Sequence, residues 1–148
     1  MASRRSALKA AAGWPNPYAM SATQQVEPAL LVVDDELAFL ALYALHLGPL
    51  YRLLLCRSGT EALAAIEREH QAGRSVAGGF FHLHVADDMR RSETIRRARQ
   101  LEPQLHCTVV GGRDEDEHDY VERPLTAHEM LHRARRAVTT WRQSQATV

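Results

Sequence analysis

Lysine is almost missing from this chain of 148 residues, in which Lys9 is the only example. Beyond residue 9, arginine must therefore supply every permanent positive charge, and its wider planar head group does not replace lysine freely at a tight site. Cysteine is also scarce. Cys56 and Cys107 lie far apart and do not form a CxxC pair, so we expect two buried free thiols in a reducing cytoplasm.

Long apolar runs are missing as well. No window reaches the roughly 18 apolar residues that a membrane-spanning helix needs, because His46 and Gly48-Pro49 interrupt the longest candidate, residues 37–50. The basic N-terminus has no apolar core of the kind found in signal peptides. The formal net charge is zero, so no overall field attracts the chain to nucleic acid or to acidic lipid. We therefore expect a cytoplasmic protein.

The composition, with 45% hydrophobic and 24% charged residues, is typical of a globular protein, and the length suits one domain. Residues 1–27 show no sustained periodicity, and Pro15 and Pro17 would break a helix there, so we expect a flexible tail. The domain is predicted over residues 28–142, followed by a short tail over 143–148. No room for an output module follows Trp141, which favours a stand-alone domain.

The most informative stretch is ALLVVDDE, residues 29–36. Five apolar residues rich in β-branched side chains predict a strand that is buried on both faces, as in parallel sheets covered by helices. Asp34 and Asp35 follow at its carboxyl end, where ligands bind in open parallel sheets. Two adjacent carboxylates at that edge could hold Mg²⁺.

Strands and helices then alternate along the chain. Capping boxes at Ser58–Glu61 and Thr126–Glu129 each predict the start of a helix. The other predicted elements are helices over 37–47 and 92–101 and strands over 51–56, 79–85, 105–110 and 120–121. This alternation predicts right-handed βαβ units and an α/β fold with a doubly wound parallel sheet.

These segments resemble the receiver domain of bacterial response regulators. The resemblance covers about residues 28–141 and is carried by LLVVDDE, SGTEALAAIE, ETIRRARQLEPQ and DYVERPLTAHEMLHRARRAV. It implies a flavodoxin-like, five-stranded parallel sheet between helices, and a role in two-component phosphorelay signalling. Only six residues separate Gly112 from Asp119, so the fourth helix of the family is expected to be shortened or missing.

The resemblance also implies a phosphorylation site. In the family, acids after the first strand bind Mg²⁺, an Asp ending the third strand accepts the phosphoryl group, a Thr or Ser ends the fourth strand, and a Lys precedes a cis-proline. Here Asp34 and Asp35 match the acidic pair, and Pro124 matches the proline. The phosphoacceptor, hydroxyl and lysine positions are substituted and fall on His82, Gly111 and Arg123.

These three substitutions predict a degenerate receiver that binds other proteins, has no catalysis of its own and does not undergo ordinary aspartyl phosphorylation. Two alternatives stay open. Asp87 or Asp88 could be the acceptor of an active receiver if the correspondence is shifted. Asp34, Asp35 and His82 could instead bind a metal, with zinc or nickel favoured over weakened Mg²⁺, and His84 lies on the same face of the predicted strand.

The partner is expected to be a signalling protein such as a histidine kinase or an effector, with no role for nucleic acid or membrane. The predicted helix over residues 37–47 is apolar on nearly every side, which is unusual for a helix with a solvent-exposed face. It is therefore expected either to form a homodimer or to be covered by the N-terminal tail through Trp14 and Tyr18. The arginines over residues 90–99 are expected to form a solvated face.

Overall fold

The elements alternate as the sequence predicts. A computed structural model describes residues 27–82, 89–111, 119–121 and 125–146. Within these ranges the elements are, in order, β1 (Ala29–Val33), α1 (Leu37–Leu47), β2 (Leu53–Cys56), α2 (Gly59–Gln71), β3 (Val76–His82), α3 (Arg91–Leu101), β4 (His106–Val110), β5 (Asp119–Val121) and α4 (Ala127–Ala146). Of the predicted tail, residues 1–27, all but Glu27 lie outside the described ranges, and the predicted domain boundaries stay a prediction.

The five strands form one sheet in the order β2-β1-β3-β4-β5, and every neighbouring pair is parallel. The predicted α/β class and the five-stranded parallel sheet are confirmed. Strand β1 lies between β2 and β3 and is buried along its whole length. Val33 of β1 pairs with Phe81 of β3. The next residue of each strand, Asp34 and His82, therefore lies beside the other at the carboxyl edge of the sheet.

Two apolar cores cover the two faces of the sheet. One contains Leu30, Val32 and Phe80 beneath α1 and α4, and the other contains Leu31, Val33 and Phe81 beneath α2 and α3. Successive residues of β1 alternate between the two cores because side chains of a strand point to opposite faces. This double coverage explains the unbroken apolar run in the sequence.

Strand β3 begins three residues earlier than predicted, at Val76 instead of residue 79. The prediction was wrong because Ala77-Gly78-Gly79 has the composition of a loop. A Cβ added at Gly78 would lie 2.7 Å from the Cβ of Ala137 on α4, so glycine lets the strand and the helix approach closely. The predicted residues 83–85 of this strand lie outside the described part of the chain.

Both predicted helix starts are confirmed. The hydroxyl of Ser58 accepts a hydrogen bond from the backbone N–H of Glu61 at 3.1 Å, and the hydroxyl of Thr126 accepts one from the N–H of Glu129 at 3.1 Å. The first capping box differs in one detail. The carboxylate of Glu61 accepts from the N–H of Arg57 at 3.3 Å, one residue before the cap.

Helix α1 covers one core with only part of its apolar surface. Leu40, Tyr43 and Leu47 are buried, but Leu37 is 63% exposed and Leu45 is 65% exposed. The large exposed side chains on and beside this helix are Leu37, Leu42, Leu45, Leu50 and Leu55, and we call them the leucine face. Within the described ranges, the fold therefore leaves one side of α1 uncovered, as its sequence indicates.

Both cysteines are free and buried, as predicted. Burial raises the pKa of Cys56 to about 12 and that of Cys107 to about 11, so both thiols stay protonated and neutral near pH 7. Among the helices described, none is long and apolar enough to cross a membrane. The shortened or missing helix expected after Gly112 falls on residues 112–118, which lie outside the described ranges.

Candidate functional site

Three polar side chains meet at the carboxyl edge of β1 and β3. Asp34 and Asp35 directly follow β1, and His82 is the last residue of β3. The Nδ1 atom of His82 lies 3.8 Å from Oδ1 of Asp34 and 3.8 Å from Oδ1 of Asp35. One ligand atom from each of the three side chains lies within 4.8 Å of the others. We call these residues the carboxylate–histidine site.

The backbone holds Asp34 in place at this edge. Its N–H donates to the carbonyl of Cys56 at 3.0 Å, which continues the pairing of β1 with β2. Its Oδ1 atom accepts a hydrogen bond from the N–H of Glu36 at 2.9 Å. This second bond fixes the carboxylate and connects the site to the start of α1.

Burial divides the site into an inner and an outer part. The side chains of Asp34 and His82 are 3% and 5% exposed, whereas that of Asp35 is 27% exposed. The site therefore opens to solvent beside Asp35. A buried carboxylate is costly to keep charged unless hydrogen bonds or a cation stabilise it, and this cost falls mainly on Asp34.

The contacts of His82 with the two carboxylates are longer than hydrogen bonds, which reach about 3.2 Å between nitrogen and oxygen. At 3.8 Å, the imidazole nitrogen and the two carboxylate oxygens are separated by more than a direct hydrogen bond. These residues fit Mg²⁺ poorly, because Mg²⁺ favours oxygen ligands in octahedral geometry and one of the three side chains offers an imidazole nitrogen. The donor set contains two oxygens and one nitrogen.

Gly111, which the sequence predicts at the hydroxyl position, directly follows β4. Its φ is +77°, in the left-handed region that side chains with a Cβ rarely adopt. Its carbonyl accepts a hydrogen bond from Nη1 of Arg91 at 3.0 Å. This backbone conformation disfavours threonine and serine at position 111.

The prediction that all the arginines over residues 90–99 form a solvated face was wrong for Arg91, which is buried. Arg91 is the first residue of α3, and its guanidinium reaches Gly111 at the end of β4. The other part of the prediction is confirmed for Arg96 and Arg97, which are exposed and both pair with Glu93. The number of charges in the segment does not distinguish a buried arginine from an exposed one. The helical spacing does, because Arg91 lies three and four residues before the buried Thr94 and Ile95 and thus on the same face of the helix.

Several residues singled out from the sequence lie outside the described ranges. They are His84, Asp87, Asp88, Arg123 and Pro124. Their assigned positions as possible acceptor, lysine substitute and cis-proline stay predictions. Among the assigned residues, those that are described and brought together are Asp34, Asp35 and His82.

Comparison with known proteins gives a result for the fold only. No known family profile matches the sequence, and no curated protein matches it. Solved structures do match. A CheY-like response regulator receiver domain protein from Methanospirillum hungatei has 21% identity and a TM-score of 0.67, with 81% of this chain and 99% of that chain covered.

Two further structures show the same likeness. The receiver domain of NtrX from Brucella abortus has 21% identity and a TM-score of 0.62, and the match covers 75% of this chain and 98% of that one. An adenylate cyclase from Rhodopirellula baltica has 17% identity and a TM-score of 0.71, with 82% and 95% covered. The chain therefore has the fold of the CheY-like response regulator receiver domains.

The conformation of Gly111 generates the first prediction. Replacing Gly111 with Ala should lower the free energy of unfolding by about 1–2 kcal/mol, because a Cβ disfavours the left-handed region. Replacing it with Asn should cost less, since asparagine enters this region more readily. Chemical denaturation of the three proteins measures the difference.

Gly73 provides the matched reference, because its φ is +74° and an added Cβ would meet no atom within 4 Å. Gly73→Ala should therefore report the backbone cost alone. A Gly111→Ala protein as stable as the native chain, beside a destabilised Gly73→Ala protein, would contradict the assigned conformation.

Proposed function

We propose that this chain is a degenerate receiver domain that acts in two-component signalling by binding other proteins. It does not undergo ordinary aspartyl phosphorylation and has no catalysis of its own. The observation that carries the proposal is the buried His82 at the end of β3, 3.8 Å from both carboxylates. The buried free thiols favour a reducing compartment, and we propose the cytoplasm.

The chemistry of phosphoryl transfer supports this proposal. Transfer to a carboxylate requires an attacking oxygen in line, a metal on the phosphoryl oxygens and a cation for the developing charge. The proposal assigns the acceptor position to His82, whose imidazole ends β3 beside Asp34 and Asp35. An aspartyl phosphate cannot form on His82, and a phosphohistidine would need this buried ring to reach an in-line donor.

The loss of the hydroxyl at Gly111 supports the same conclusion. In a receiver that switches, the hydroxyl contacts the phosphoryl group, and this contact connects phosphorylation to a change of surface. A glycine with φ of +77° has no such group and does not accommodate one easily. We therefore propose that the chain binds its partner through a surface whose shape does not depend on phosphorylation.

The leucine face is the surface that we propose for recognition, and a second copy of this chain is the occupant that we propose for it. Helix α1 contains no Asp, Glu, Lys or Arg. An isologous dimer brings the same patch of both subunits together. Because this helix has no acidic side chain, lysine or arginine, two copies of it can pack together without electrostatic repulsion between such groups. Exposed Leu37, Leu42 and Leu45 would provide the apolar core of such an interface.

An active receiver with Asp87 or Asp88 as acceptor is the second candidate function. The observation that favours it is the retained acidic pair, Asp34 and Asp35, at the expected edge. Both candidate acceptors lie outside the described ranges, so the choice depends on experiment.

The first test is phosphorylation. We expect no gain of phosphoryl mass when the full chain is incubated with acetyl phosphate and Mg²⁺, because no carboxylate ends β3. Intact-protein mass spectrometry at neutral pH measures this, and a working receiver domain treated in parallel is the positive control.

Variants separate the two candidate functions. A mass gain that Asp87→Ala or Asp88→Ala abolishes would overturn the degenerate assignment and establish an active receiver. A mass gain that only His82→Ala abolishes would also overturn it, in favour of a histidine acceptor.

The second test concerns the leucine face. The full chain should be a dimer at micromolar concentration, and the double variant Leu42→Glu/Leu45→Glu should be a monomer, because two carboxylates from each subunit would then meet in the interface. Light scattering after size-exclusion chromatography measures the mass of each.

The matched control is Gln100→Glu/Gln104→Glu, which adds the same charge at two exposed positions away from α1 and should remain a dimer. A native chain that is a monomer at all concentrations would contradict the homodimer. In that case, binding of a hydrophobic dye only after removal of residues 1–19 would indicate that the tail covers the face.

A further inference from the structure

We propose that the carboxylate–histidine site binds a divalent transition-metal ion, with zinc as the preferred class and Mg²⁺ disfavoured. The inference goes beyond the proposed signalling function and is independent of it. It concerns three side chains that come from the ends of two neighbouring strands, and that supply two carboxylate oxygens and one imidazole nitrogen.

The geometry of the ligand atoms supports a bound ion at their centre. Around a tetrahedral zinc ion with bonds of about 2.0–2.1 Å, ligand atoms lie roughly 3.3 Å apart. Nδ1 of His82 lies 3.8 Å from each Oδ1, and all three ligand atoms lie within 4.8 Å of one another. The two nitrogen–oxygen distances therefore exceed those of a tetrahedral zinc site by only about 0.5 Å.

The donor set decides the class of metal. Imidazole with carboxylate suits zinc, nickel and cobalt, whereas Mg²⁺ favours oxygen ligands. The imidazole of His82 therefore moves the metal preference of this edge from Mg²⁺ towards zinc. Three protein ligands would leave the fourth position of a tetrahedral ion for water or for a partner's side chain.

The surroundings are those of a formed site, not of a chance cluster on the surface. His82 and Asp34 are at least nine-tenths buried, while Asp35, 27% exposed, provides a path from solvent. The N–H of Glu36 donates to Oδ1 of Asp34 at 2.9 Å, which orients that carboxylate as outer-shell bonds orient metal ligands. A divalent cation would also offset the cost of burying Asp34 next to a second acid.

Cobalt is the probe for the first experiment, because tetrahedral Co²⁺ gives intense visible absorption bands and stands in for zinc. The full chain, freed of metal with chelator, should develop these bands at one equivalent of Co²⁺. Zinc should then displace the cobalt and abolish the bands, and a large excess of Mg²⁺ should leave them unchanged.

Variants locate the bound ion. His82→Asn and Asp35→Asn should each weaken zinc binding, measured by calorimetry, by more than about tenfold, since even outer-shell partners typically contribute 10–100-fold. Asp35→Asn changes a partly exposed residue, so it keeps the test valid if the buried His82 variant fails to fold. The control is His128→Ala, which removes an exposed histidine on α4 and should not change the affinity.

Two outcomes would overturn the proposal. One is zinc affinity that is the same in the native chain and in folded Asp35→Asn, which would assign binding to other histidines. The other is Mg²⁺ binding as tight as zinc binding. Neither result would affect the phosphorylation test, so a failure here is distinguishable from a failure of the degenerate receiver assignment.

Discussion

The parallel pairing of β1 with β3 is the constraint on which the rest of this account depends. The register joins Val33 to Phe81, and the next residue of each strand must then lie at the same edge of the sheet. Asp34 and His82 therefore meet whatever the surrounding loops do. The identity of the residue at position 82 decides whether this edge presents three carboxylates or two carboxylates and an imidazole.

A fold can keep its architecture while its site changes, because different residues determine the two. The apolar residues that alternate along β1 and β3 build both cores, and none of them takes part in phosphoryl chemistry. The site residues stand at the strand ends, where a substitution leaves the packing intact. A chain with the receiver fold can therefore have a histidine, His82, next to the two carboxylates at the carboxyl edge of its sheet.

Much of the fold was predictable from the sequence, because apolar runs and capping residues act locally. The bounds of α1 and the starts of α2 and α4 follow from such signals. The start of β3 was not predictable in this way, since the role of Gly78 depends on its distance from Ala137, a residue far along the chain.

The difference between local signals and contacts of residues far apart in the chain also applies to the site. The convergence of Asp34, Asp35 and His82 was predictable from parallel topology, which brings strand ends to one edge. The left-handed conformation of Gly111 and the hydrogen bond of its carbonyl with Arg91 were not, because this bond connects α3 to the end of β4. A single sequence contains no local signal for such a contact.

Binding of beryllofluoride, a stable mimic of the aspartyl phosphate group, is the measurement that tests the central claim most directly. Fluorine NMR of the full chain with beryllofluoride and Mg²⁺ should show only the free species, because His82 offers no carboxylate oxygen to the beryllium. A working receiver domain in the same buffer should show the bound signals. A bound signal from this chain that disappears in Asp34→Asn would contradict the account, since it would place a functional acyl-phosphate site at this edge.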